Sequence, residues 1–205
     1  IVVGAGLENI HRLLGGSGLA ETVEPGSSFD SHLSQEQIAI FGHVVREKER
    51  GAVGQVETWW LMRRENDGLS LVRYSGSGSS RLSLRSLLAL KEQNSPHYVL
   101  SMISSLYSRA DGSLCVTANP LAGEPLPLVA DVREKSTGKQ SRHPAFLLPA
   151  SGDAIPSTVI LPAGLPARAL AIRFLDARDQ SLLNIRLDGM LERGSDSERW
   201  SLSGT

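Results

Sequence analysis

A long succession of short β-rich segments, with no long amphipathic helix between them, constrains this chain more than any other feature. From about residue 37 the segments run QIAIFGHVVRE, VETWWLMRR, GLSLVRY, SLLALKE, HYVLSMISSLY, SLCVTA and PLPLVADV. They continue as PAFLLPA, STVILPAG, RALAIRFL, SLLNIRLDGML and RWSLS. NDG, SGSGSS, NSP, ADG and AGEP punctuate them. Such residues turn a chain because glycine supplies positive φ, while Asn, Asp and Ser bond their own backbone. Strands at this spacing, without helical crossovers, predict a mainly all-β fold of the barrel or sandwich type. SLLALKE is ambiguous, since Leu87–Lys91 also fits a helical turn capped by Ser86. DARDQS reads as a hairpin tip between RALAIRFL and SLLNIRL.

One short helix is predicted. LENIHRLL places Leu7, Ile10, Leu13 and Leu14 at spacings of three and four, and Gly15-Gly16-Ser17-Gly18 stops it. It follows IVVGAG, a strand running into two glycines, as at the start of a dinucleotide-binding fold. That fold needs a third glycine where Asn9 stands, a complete βαβ unit, and an acidic residue about 20 positions later on a strand end. Glu21 and Glu24 fall instead in residues 15–35, a Gly/Ser/Pro-rich stretch read as a flexible loop or linker. Gly4 and Gly6 are therefore assigned to a tight strand-to-helix turn. IVVG also opens mature chymotrypsin-like proteases, but their G-D-S-G-G nucleophile loop is missing from this sequence.

Charge narrows the function classes. With 21 Lys+Arg against 22 Asp+Glu, the chain lacks the basic excess expected of a nucleic-acid-binding surface. No apolar run is long enough to predict a membrane span. Cys115 is the only cysteine, so no intrachain disulfide can form, and a reducing, cytoplasmic compartment is expected. Its apolar neighbours in SLCVTA mark it as a buried small residue. The first residue is Ile1 and not methionine, so further sequence is expected upstream.

No catalytic or metal site is assigned. The histidines (His11, His32, His43, His97, His143) show no metal-ligand spacing. His11 is expected at the boundary of the helix's apolar face. Ser77 in YSGSGSS lacks the glycine a nucleophile elbow requires, because Ser75 stands in its place. Asp176–Asp179 and Glu192–Arg199 read as charged surface turns. Trp59 and Trp60 face opposite sides of their strand by the two-residue period, one inward and one outward.

VETWWLMRRENDGLSLVRYSGSGSSRLSLRSLLALKEQNSPHYVLSMISSLYSRADGSLCVTA has a distinctive order: a Trp-bearing strand, a polar turn, Gly-Leu-x-Leu, a loop, then L-x-L-x-S-L-L-A-L-K. Over about residues 38–135 it resembles the PilZ family of small β-barrels, more closely divergent PilZ-like proteins with C-terminal extensions. The resemblance implies a non-enzymatic bacterial signalling module that binds cyclic di-GMP and alters contacts with other proteins, without a metal or resident cofactor. In that family an R-x-x-x-R segment and a [D/N]-x-S-x-x-G turn hold the messenger. Guanidiniums clamp phosphates and stack on guanine, while the turn reads base edges. The first motif matches Arg46 and Arg50. The second falls on Arg63-x-Glu65-x-x-Gly68, where only the glycine is retained, with Arg64 able to offset the Glu65 charge. The Arg63 and Glu65 replacements favour an alternative: a PilZ-like scaffold that has lost the nucleotide and acts by protein contacts alone, possible as a homo-oligomer.

The expected architecture is a PilZ-like barrel over residues 1–136 with a short inserted helix. KSTGKQSR then serves as a linker or crossing loop. A smaller β unit over residues 143–205 follows and packs on the barrel, since about sixty residues make a marginal core alone.

Overall fold

The computed structural model describes residues 1–19, 54–65, 68–76, 78, 80–150, 152 and 155–203. QIAIFGHVVRE, Arg46 and Arg50 lie outside the described residues, as does most of the 15–35 stretch. The strands are β1 (Val2–Ala5), β2 (Glu57–Thr58), β3 (Trp60–Glu65), β4 (Gly68–Arg73), β5 (Leu87–Lys91), β6 (Val99–Ser108) and β7 (Leu114–Pro120). Then come β8 (Leu126–Glu134), β9 (Gln140–Leu148), β10 (Thr158–Pro162), β11 (Ala169–Asp176), β12 (Leu182–Leu183), β13 (Leu187–Arg193) and β14 (Ser197–Leu202). Among the described residues two helices accompany them, α1 (Leu7–Leu13) and α2 (Leu165–Arg168). The fold is mainly β, as predicted. Leu87–Lys91 is a strand, not a helical turn.

The strands form two antiparallel sheets, ordered β2-β1-β5-β6-β7-β4-β3 and β12-β11-β8-β9-β10-β14-β13. In the first, the two edge strands are successive pieces of one run, residues 57–65. Its start pairs with β1 and its end with β4. At the joint, Trp59 N–H donates to the Ile1 carbonyl (2.9 Å) and Ile1 N donates to the Trp59 carbonyl (3.0 Å). One strand thus closes the sheet into a barrel-like form. The second sheet is built the same way, with β12 and β13 as successive pieces at its two edges.

Counting each split strand as one, both sheets have six strands and the same connections. First pairs with second, second with third, third with sixth, sixth with fifth, fifth with fourth, and fourth with first. The described strands are two tandem copies of one topology. The second copy is not smaller in strand number, and it starts at Leu126. KSTGKQSR is not a linker but the hairpin turn inside it. Glu134 N–H donates to the Lys139 carbonyl, and Gly138, at φ 68°, permits the reversal.

Three apolar cores follow from strand alternation. Val3, Trp59, Leu71, Leu88, Leu90, Ile103 and Val116 fill the first barrel. Leu128, Ala130, Val132, Val159, Leu161 and Phe174 fill the second. Between them, Ile10, Leu87, Ala89, Leu100 and Met102 of the first copy meet Phe146, Leu148 and Ile160 of the second. β5 and β10 are therefore apolar on both faces. Each large side chain in this seam contributes about 2 kcal/mol by leaving water.

The opening glycines serve packing. Gly6 sits at φ 84°, a conformation that disfavours side chains, and turns β1 into α1. A Cβ on Gly4 would run into the Leu13 side chain, so glycine lets α1 lie close on β1.

Candidate functional site

The β3–β4 hairpin carries four of the six residues to which the sequence assigned ligand binding, Arg63, Arg64, Glu65 and Gly68; Arg46 and Arg50 lie outside the described residues. Trp59 is 1% exposed and Trp60 64%, the inward and outward pair the alternation predicted. Trp60 is opposite Val72 in the ladder, and the Tyr74 ring meets it edge-to-face (centroids 6.3 Å apart, 76° between planes). A bulge between Leu61 and Arg63 takes Met62 out of register, so Arg63, opposite Ser70, returns to the side of Trp60. Trp60, Tyr74 and Arg63 thus lie exposed at one outer surface, above a buried Val72.

The other candidate residues diverge from it. Arg64 follows Arg63 and points to the opposite side, where Nη2 bonds Glu92 Oε1 at 2.6 Å. Of Glu65 only the backbone is described, opposite Gly68. Gly68 is buried, and a Cβ there would stand 2.9 Å from Asn119 Oδ1. A side chain there would have to push the exposed Asn119 side chain of β7 aside. The two guanidiniums of the hairpin do not converge on one ligand. The spacing of the family motif recurs elsewhere: Asn184, Arg186 and Gly189 match [D/N]-x-S-x-x-G with arginine at the serine position. Asn184 and Arg186 are exposed in the break between β12 and β13.

Behind the hairpin a polar knot fixes its base. Glu57 Oε2 accepts from Trp59 Nε1 (2.9 Å) and from Arg73 Nη1 (3.5 Å), and Oε1 accepts from the Ser80 N–H (3.0 Å). Arg73 also donates to the Ser80 carbonyl (2.9 Å), and its guanidinium lies 5.9 Å from the Trp59 ring centroid. Burial works to raise the Glu57 pKa, but the Ser80 and Trp59 hydrogen bonds and the Arg73 charge outweigh it, holding the carboxyl below its ordinary value.

Two titratable groups sit at the seam. His11 is 0% exposed, not at a boundary as expected: its Nε2 bonds the Leu128 carbonyl at 3.0 Å, and its ring meets Phe146 edge-on. Nδ1 has no hydrogen-bond partner among the described residues. Asp196, in the β13–β14 turn, accepts from the Leu87 N–H (3.1 Å) and from Ser197 Oγ (3.1 Å), and burial raises its pKa. Cys115 is buried, as its apolar neighbours implied. Among the described residues no three His, Cys, Asp or Glu side chains converge as metal ligands, and no helix is long and apolar enough to cross a membrane.

Compared with known protein families, curated proteins and solved structures, the chain matches none of them.

Proposed function

We propose that this chain is a non-enzymatic regulatory module of PilZ-like type that acts through contacts with other proteins. One observation carries this reading: two barrels of identical strand order are joined by a continuous apolar seam, so the molecule offers fixed outer faces to a partner. The most apolar of these in the first barrel, around Trp60 and Tyr74, lies on the hairpin that carries the degenerate family motif.

A second reading keeps cyclic di-GMP as the ligand, and the exposure of Arg63 on the same strand side as Trp60 favours it. A guanidinium next to an indole can hold a phosphate while the ring stacks on a base. Calorimetric titration of cyclic di-GMP into the chain separates the two. The scaffold reading expects no heat and no ligand-dependent rise in melting temperature. Binding that Arg63→Ala weakens at least about tenfold, the loss of one charge-assisted contact, would establish the nucleotide reading instead.

A further inference from the structure

The seam joins two different faces. The second barrel contributes the outer side of its second and third strands, where Phe146 is paired with Ile160. The first barrel contributes α1 and the outer side of its fourth and fifth strands, where Leu87 is paired with Met102 and Ala89 with Leu100. Because the copies share one strand topology, each of these strand faces has a counterpart that the seam leaves uncovered; only α1 has none, since β8 runs into β9 through a short turn.

In the first barrel the counterpart of Phe146–Ile160 is Trp60–Val72, an aromatic residue across from a β-branched one on the same two strands. Phe146 is 0% exposed under the neighbouring barrel; Trp60 is 64% exposed. In the second barrel the counterpart of the Leu87–Met102 face is that of β11 and β12, where Leu175 is paired with Leu182. Leu182 is 67% exposed, the most exposed large apolar residue of the described chain. Charge is complementary at the rims. Asp176, Arg178 and Asp179 in the turn beside Leu182 sum to one negative charge, while Arg63 lies on the side of Trp60.

The geometry points to head-to-tail association of this protein with itself, the Leu175–Leu182 face of one copy seating on the Trp60–Val72–Tyr74 face of the next. The contact repeats the strand-on-strand part of the relation already present inside the chain, without α1. It is heterologous, so successive copies extend a row unless the rotation happens to close. It needs no nucleotide, and its success or failure is independent of the titration above.

Sedimentation of the full chain in nucleotide-free buffer, from low micromolar to near-millimolar concentration, tests this with Trp60→Glu and Leu182→Glu. Both positions are exposed, and circular dichroism checks that the variants fold. The wild type is expected to exceed dimer mass as concentration rises, while each variant alone stays monomeric. An equimolar mixture of the two variants should form a dimer and nothing larger, because only one intact pair of faces remains. A wild type that stays monomeric throughout overturns the inference. So does a single variant that associates like the wild type, or a mixture that fails to dimerise.

Discussion

His11 is held neutral in the seam. Burial lowers its pKa, the bond to the Leu128 carbonyl works the other way, and the Arg12 charge lowers it further. The other charged groups on the covered face are already engaged: Asp131 of β8 with Arg173 of β11, and Arg142 of β9 with the Gly18 carbonyl. Because the folded-state pKa lies below the unfolded value of about 6.5, the unfolded chain binds more protons in between. Stability is therefore complete above about pH 6.5 and is lost as pH falls through the depressed folded-state value. Urea unfolding measured from pH 8 to pH 5 should show this loss in the wild type. His11→Gln, which keeps a donor for Leu128 but does not titrate, should flatten that part of the profile; an unchanged slope would assign it to another group. Helical spacing alone put His11 on a boundary. What buries it arrives from β8 and β9, with Leu128 lying 117 residues further along the chain.

Equivalent strands in the two copies make a paired prediction. Phe146→Ala opens a hole in the seam and should cost about 3–5 kcal/mol. Trp60→Ala, at the matching place on the uncovered face, should shift the stability of the monomer by about 0.5 kcal/mol or less. Chemical denaturation of both variants at low protein concentration checks the difference, and equal losses would contradict the assignment of covered and uncovered faces. Strand identity was largely legible in the sequence, and its one ambiguity has a physical origin. LLALK shows no alternation because Leu88 and Leu90 fill the barrel while Leu87 and Ala89 fill the seam. A strand buried on both sides reads as a continuous apolar run, which a buried helix also gives. The hairpin site was legible as residue types and not as geometry. Arg63 and Arg64 look like a cluster in the sequence, yet strand period and a bulge send them to different sides.

At the scale of the molecule, the seam predicts that the barrels melt together. Trp59 and Trp60 report on the first and Trp200 on the second. Thermal unfolding followed by tryptophan fluorescence in a Trp200→Phe variant should therefore coincide with the far-ultraviolet transition of the same variant. Two separated transitions would mean that the seam is a weak contact. Such unity is hard to read from sequence. KSTGKQSR has the composition of a linker, but a polar turn crossing a hairpin has the same composition, and only pairing partners distinguish them. The tandem repeat is similarly hidden, because matched positions hold different residues: Trp60 and Phe146, Val72 and Ile160.

The seam also has a consequence in time. A ribosome delivers Pro120, the end of the first barrel, 40 residues before Ile160, the last of the second copy's residues in the seam cluster. At about 5–20 residues per second that interval lasts about 2–8 s. Through it, Leu87, Leu100 and Met102 have no second barrel to cover them, so the nascent chain is most prone to aggregate after its first half has already found its strands.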